Sequence, residues 1–171
     1  MQVSDVRTSQ TTWIPRHYSP VMDAVIKRAA DVLKIDEALF RYRQEDEHPE
    51  LPGRIPINED LQIVHYNAGA EYTTHTDHGY PDTRPNAPSR SINLCIYLNE
   101  GMEGGETAFP RWRNAETDDA IKAVPKKGKV MIFYMKNPDG NLDDLSQHAA
   151  MPVIEGEKWF ANLWTWDPFR E

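Results

Sequence analysis

The run Tyr72-Thr73-Thr74-His75-Thr76-Asp77 decides how this chain is read. Tyrosine and threonine favour a pleated strand. Residues two apart in a strand point to the same side, so His75 and Asp77 can grip one ion without distorting the backbone. Two imidazoles and one carboxylate form the facial triad that holds non-haem Fe(II) with coordination positions left open. His148 supplies the second imidazole, far enough along the chain to come from another strand. Lys158 follows it and is placed to pair with the far carboxylate of an acidic cosubstrate. A lone His-x-Asp is weak evidence, whereas the four residues together are specific.

Working outward, short β-prone runs alternate with turn chemistry over 61–66, 72–77, 90–98, 106–109, 129–134, 147–153 and 158–166. Such strands, broken by Gly104-Gly105 and Pro138-Asp139-Gly140, predict a mainly β protein of the jelly-roll, cupin-like kind. One supporting helix precedes them. Ser19-Pro20 gives an N-cap and a first-turn proline, and Met22, Val25, Ile26, Ala29 and Leu33 recur at helical spacing up to about Ile35. Residues 36–60 are charged, carry Pro49, Pro52 and Pro56, and read as an extended connection. The expected organisation is one domain over 1–171, with a helical lead-in (1–60) and a β core (61–168).

Alternation assigns faces. Lys158, Phe160, Asn162, Trp164 and Trp166 share one side of their strand. In 90–98, Ser91, Asn93, Cys95 and Tyr97 form the polar-bearing side, expected to line a cavity, while Ile92, Leu94, Ile96 and Leu98 face the helix. A ring of Tyr66, Asn93, Tyr97 and Lys158 would then bind a dicarboxylate. His17, His48 and His65 read as surface residues and His78 as a loop residue.

With 39% hydrophobic and 27% charged residues in 171, the chain is ordinary for a globular domain with a core of its own. A net charge of −8 argues against a sequence-independent grip on nucleic acid. No apolar stretch approaches the roughly 20 residues needed to span a bilayer. Cys95 is the single cysteine, so no intrachain disulfide and no Cys-ligated zinc site exist. With no Asn-x-Ser/Thr sequon, this composition suggests a cytoplasmic location. The endoplasmic reticulum lumen would follow if an upstream signal segment had been removed.

The chain strongly resembles the prolyl 4-hydroxylase family of Fe(II)- and 2-oxoglutarate-dependent dioxygenases. The residues that carry the resemblance begin with Leu61-Gln62-Ile63-Val64-His65-Tyr66 and Tyr72-Thr73-Thr74-His75-Thr76-Asp77. They continue through Ile96-Tyr97-Leu98-Asn99, Gly104-Gly105-Glu106-Thr107-Ala108-Phe109-Pro110 and Pro138-Asp139-Gly140. They end with His148-Ala149-Ala150-Met151-Pro152-Val153, Gly156-Glu157-Lys158-Trp159 and Trp164. The resemblance implies a double-stranded β-helix with His75, Asp77 and His148 as iron ligands. Lys158 would hold the distal carboxylate of 2-oxoglutarate, with Tyr66 and Tyr97 as hydrogen-bond partners and Asn93 where relatives often carry Thr. Tyr72, Arg90 and Trp164 fall where the family contacts its peptide. Trp166 stands where some peptide hydroxylases have a polar residue.

The implied reaction hydroxylates a prolyl residue of a peptide or protein, consuming O2 and 2-oxoglutarate and releasing succinate and CO2, with ascorbate as a candidate reductant. Two alternatives stand beside it: an oxygenase of the same fold acting on a small molecule or free amino acid, and a non-catalytic cupin-like metal-binding module. The loop 79–89, with Pro81, Pro85 and Pro88, follows the ligand strand and reads as a lid or substrate clamp.

Overall fold

The computed structural model describes residues 7–79 and 89–167. The expected lid over 79–89 therefore lies outside the described residues except for its two ends. Two antiparallel sheets face each other. The large sheet is built from β1 (Gln10–Ile14), β2 (Leu61–Asn67), β4 (Arg90–Tyr97), β8 (Val130–Tyr134) and β11 (Glu157–Trp166) in the order β1-β2-β11-β4-β8. The small sheet joins β3 (Tyr72–His75), β6 (Thr107–Arg113), β7 (Ala120–Ala123) and β9 (His148–Ala150) in the order β3-β9-β6-β7. The short strands β5 (Glu103–Gly104) and β10 (Val153–Glu155) pair with each other. Neighbours in the sheets are mostly distant in sequence, as the jelly-roll expectation requires.

Helix α1 (Pro20–Leu33) covers the outer face of the large sheet. The Ser19 side chain accepts from the Met22 N–H at 3.3 Å, which caps the helix start. Lys34 ends it in the left-handed conformation, its N–H bonding back to the last carbonyls, one turn residue short of the expected Ile35. Ile26, Ala29 and Ala30 pack on Leu61, Leu94, Ala161 and Leu163. The opposite face of the same strands contributes Val64, Tyr66, Cys95, Tyr97 and Phe160 to a second cluster between the sheets. Strand alternation thus delivers aliphatic residues to the helix and the polar-bearing set to the interior, as the sequence predicts.

The extended-connection expectation for residues 36–60 needs correction. Asp36 caps a 3-10 turn, Glu37–Phe40, which buries Ala38, Leu39 and Phe40. Arg43 is also buried and donates to the carbonyls of Pro52 and Gly53. Within the segment Arg41 pairs with Glu37 and Glu47, while Glu37 also reaches Arg16 and Glu59 reaches Arg90. Strand β1, unforeseen, pairs along its whole length with β2, from Gln10 opposite His65 to Ile14 opposite Leu61.

Candidate active site

His75 ends β3 and pairs directly with His148 at the start of β9. Asp77 lies two residues beyond the end of the strand, so strand alternation alone does not account for its place in the site. The three side chains nonetheless converge, with one ligand atom from each within 4.8 Å of the others. Asp77 Oδ1 lies 3.5 Å from His75 Nε2, and Oδ2 lies 3.4 Å from His148 Nε2. Each imidazole is oriented by the backbone two residues earlier: His75 Nδ1 donates to the Thr73 carbonyl at 2.7 Å and His148 Nδ1 to that of Ser146 at 2.9 Å. A carbonyl only accepts, so Nδ1 carries the proton in both rings and each Nε2 turns a lone pair inward. Lone pairs of two imidazoles and a carboxylate meeting at one point call for a cation. The donor set, without sulfur and with room for further ligands, fits Fe(II).

Asp77 is 8% exposed. Burial alone would raise its pKa, but the hydrogen bonds and positive charge that His148 and His75 offer when protonated at Nε2, a role a bound cation would take over, outweigh that and hold it well below the usual carboxylate range. Its Oδ2 accepts from Asn93 Nδ2 and Trp164 Nε1, both at 2.9 Å. These two residues were expected at the cosubstrate and at the peptide. In the structure their side-chain N–H groups hold the Asp77 carboxylate, since the two residues stand directly opposite each other on neighbouring strands of the large sheet. Trp164 is only 5% exposed and carries the Arg90 guanidinium over its ring at 3.9 Å. Arg90 is held by Glu59 in a two-pronged pair at 2.5 and 2.7 Å, and Trp166 Nε1 donates to the same carboxylate at 2.9 Å. Glu59, placed by the sequence reading in a featureless connection, is the anchor of this network.

The other end of the site centres on Lys158, 1% exposed. Its ammonium donates to the Gly105 carbonyl at 2.7 Å and lies over the rings of Phe160, Tyr66 and Tyr97 at 4.7, 5.1 and 5.6 Å. No carboxylate pairs with it among the described residues, and burial lowers its pKa to about 8. Gly104 and Gly105, both at positive φ, make this cradle. A Cβ at Gly104 would lie 2.4 Å from the Pro152 carbonyl, and one at Gly105 would press on the Lys158 stem. Burial likewise raises the phenols of Tyr66 and Tyr97 to about 12, so both stay protonated. Tyr66 borders the cavity. The Tyr97 hydroxyl is engaged by protein, donating to the Ala123 carbonyl at 3.1 Å and bonded to the Thr107 hydroxyl at 2.8 Å. Thr107 itself faces the cavity and was missed by the sequence reading.

Between these ends lies a cavity of about 180 Å³, below the range for drug-sized ligands and suited to a small acid. At its mouth the Tyr72 ring stacks on His75, centroids 3.5 Å apart, and the Arg7 guanidinium lies over the same Tyr72 ring at 5.0 Å. Tyr72 and Arg90, expected where a peptide would be contacted, line the cavity together with His75, Asp77 and His148, with Arg7, Trp13 and Gln62 as unforeseen neighbours.

The model of the 2OG-Fe(II) oxygenase superfamily matches residues 61–166. The chain is 30% identical, over 94% of its length, to a probable prolyl 4-hydroxylase 3 of Arabidopsis thaliana. It is 28% identical, over 92%, to prolyl 4-hydroxylase subunit alpha-1 of Gallus gallus. It spans 54% of the first of these and 27% of the second. Among solved structures it resembles the viral collagen prolyl hydroxylase vCPH from Paramecium Bursaria Chlorella virus-1, in its 2OG complex. That likeness is 29% identity and a TM-score of 0.67, covering 94% of this chain and 80% of that one.

Proposed function

The chain belongs to the 2OG-Fe(II) oxygenase superfamily, and from that premise we propose that it hydroxylates prolyl residues in a peptide or protein, consuming 2-oxoglutarate and O2 and releasing succinate and CO2. The observation that carries the reading is the pairing of two unfinished features around one small cavity: the three converging side chains of His75, Asp77 and His148 in its wall, and a buried lysine without a counter-charge directly behind its Tyr66 and Phe160 rings. His75, Asp77 and His148 would hold the iron, and Lys158 the distal carboxylate of the cosubstrate. Bound Fe(II) supplies the oxidative chemistry.

The chain's own residues do the rest. The backbone carbonyls of Thr73 and Ser146 fix both imidazole tautomers, and Asn93 and Trp164 fix the carboxylate, so little reorganisation is left for metal binding. The rings of Phe109 and Phe133, 5.8 and 4.8 Å from His148, exclude water from its far side. Tyr72, Arg7 and the Arg90–Trp164 stack form an aromatic, cationic mouth. Extended proline-rich peptides suit such a surface, because their helix is already formed before binding. Relatives named as prolyl 4-hydroxylases support this substrate class.

The test is anaerobic loading with Fe(II) and 2-oxoglutarate, then exposure to oxygen across a panel of proline-rich peptides. Mass spectrometry should find one added oxygen on proline with matching succinate. Succinate formed with every peptide left unmodified would reassign the substrate, and no succinate under any condition would remove the oxygenase reading.

A further inference from the structure

One more polar row crosses the inner face of the large sheet, between the two ends of the site. Gln62 of β2 stands opposite Asn162 of β11, which stands opposite Cys95 of β4. All three are buried and line the cavity. They form a hydrogen-bonded chain: the Cys95 thiol donates to Asn162 Oδ1 at 3.3 Å, and Asn162 Nδ2 donates to Gln62 Oε1 at 3.0 Å. Burial pushes the Cys95 thiol well above its usual pKa, so the proton stays on sulfur and is available to donate to Asn162. In that direction each amide accepts through oxygen, and the row ends on the Gln62 NH2 group. That group has no hydrogen-bond partner among the described residues, although Gln62 is only 2% exposed. A nearly buried amide donor is rarely left open, and this one borders the cavity.

Its position along the strand indicates what it meets. The inner face of β11 runs Lys158, Phe160, Asn162, Trp164. Lys158 marks the distal-carboxylate end and Trp164, bonded to Asp77, marks the metal end. The Gln62–Asn162 pair stands four residues from the first and two from the second, beside the metal-side head of a five-carbon diacid stretched between them. We propose that the Gln62 amide donates to the metal-side carboxylate of the bound 2-oxo acid, held in that orientation by Asn162 and Cys95. This rests on the 2-oxo-acid reading of the same cavity.

The experiment titrates two acids into the Zn(II)-loaded protein without oxygen, by calorimetry: 2-oxoglutarate, and 2-oxopentanoate, which keeps the 2-oxo-acid head and lacks the distal carboxylate. Gln62→Leu should weaken both acids by about ten-fold or more, the range for a lost hydrogen bond to a charged group. Lys158→Met should weaken 2-oxoglutarate alone. Gln62→Glu keeps the side chain's shape and the bond from Asn162, so it serves if the leucine variant fails to fold; with a carboxylate facing a carboxylate it should weaken both acids further. Parent-like binding of both acids by the Gln62 variants overturns the proposal. A loss confined to 2-oxoglutarate also overturns it, since the amide would then serve the distal end. If the parent binds neither acid, the 2-oxo-acid reading fails first and takes this one with it.

Discussion

The two ends of the cavity are finished to different degrees. At the end where His75, Asp77 and His148 converge, the outer atom of each side chain already has a protein partner: a backbone carbonyl for each histidine, and Asn93 with Trp164 for Asp77. At the lysine end the fold brings a cation inside and supplies a carbonyl and three aromatic rings, but no anion among the described residues. The first region stores geometry; the second stores an unmet charge. Burying a cation without its partner costs folding free energy and is retained where a ligand brings the missing charge. Substitutions at the two ends should therefore separate metal affinity, cosubstrate affinity and stability.

The largest effect belongs to the ligands. Asp77→Ala should eliminate Fe(II) binding and turnover, because it removes the one anionic ligand and leaves the Asn93 and Trp164 donors buried without an acceptor. The loss should exceed the roughly 10- to 100-fold that follows removal of a residue merely supporting a ligand. Metal content after dialysis measures it, with circular dichroism to show the fold retained. Parent-like iron content would take Asp77 out of the triad.

Lys158→Met comes next and should move two properties in opposite directions. The affinity for 2-oxoglutarate should fall by about 100-fold or more, as expected when a buried carboxylate loses its counter-charge. The ligand-free protein should become more stable, because the unpaired cation is gone. The sign with pH follows from the lowered pKa of about 8 against the ordinary lysine value of 10.5. Between those values the unfolded chain binds more protons than the folded one, so the parent gains stability as pH rises. The variant's advantage should thus be full below about pH 8 and shrink above it. Denaturant titrations at several pH values follow the trend, and a variant less stable than the parent at neutral pH would mean Lys158 has a partner of its own.

Smaller still are Asn93→Ala and Trp164→Phe. Each should weaken Fe(II) binding about 10- to 100-fold, while the metal-saturated protein keeps its affinity for 2-oxoglutarate. A selective loss of 2-oxoglutarate affinity would instead return Asn93 to the cosubstrate, where the sequence first placed it.

What the sequence made legible, and what it did not, divides along similar lines. Residue types with few other uses in combination, His75, Asp77, His148 and Lys158, were readable from order and spacing. The two faces of β4 and β11 were readable from alternation. Alternation gives a face and not a partner, so the bonds of Asn93 to Asp77 and of Tyr97 to the Ala123 carbonyl could not be read from it. Glu59 was hidden because a carboxylate in a proline-bearing charged segment resembles ordinary surface. Only its long-range approach to Arg90 and Trp166 reveals it. Strand β1 was hidden because its pairing with β2 is a tertiary event without a turn signal beside it.

The most direct test of an unmet charge awaiting a carboxylate is the affinity of the metal-loaded, oxygen-free protein for 2-oxoglutarate as pH rises through 8. A bound carboxylate favours the protonated lysine, so binding above the free-site pKa must draw in a proton. The dissociation constant should be flat below about 8 and rise about tenfold per pH unit above it. The rise should disappear in Lys158→Met. A parent whose affinity ignores pH across this range, or a Met variant that keeps the same rise, would contradict the assignment of Lys158 to the cosubstrate.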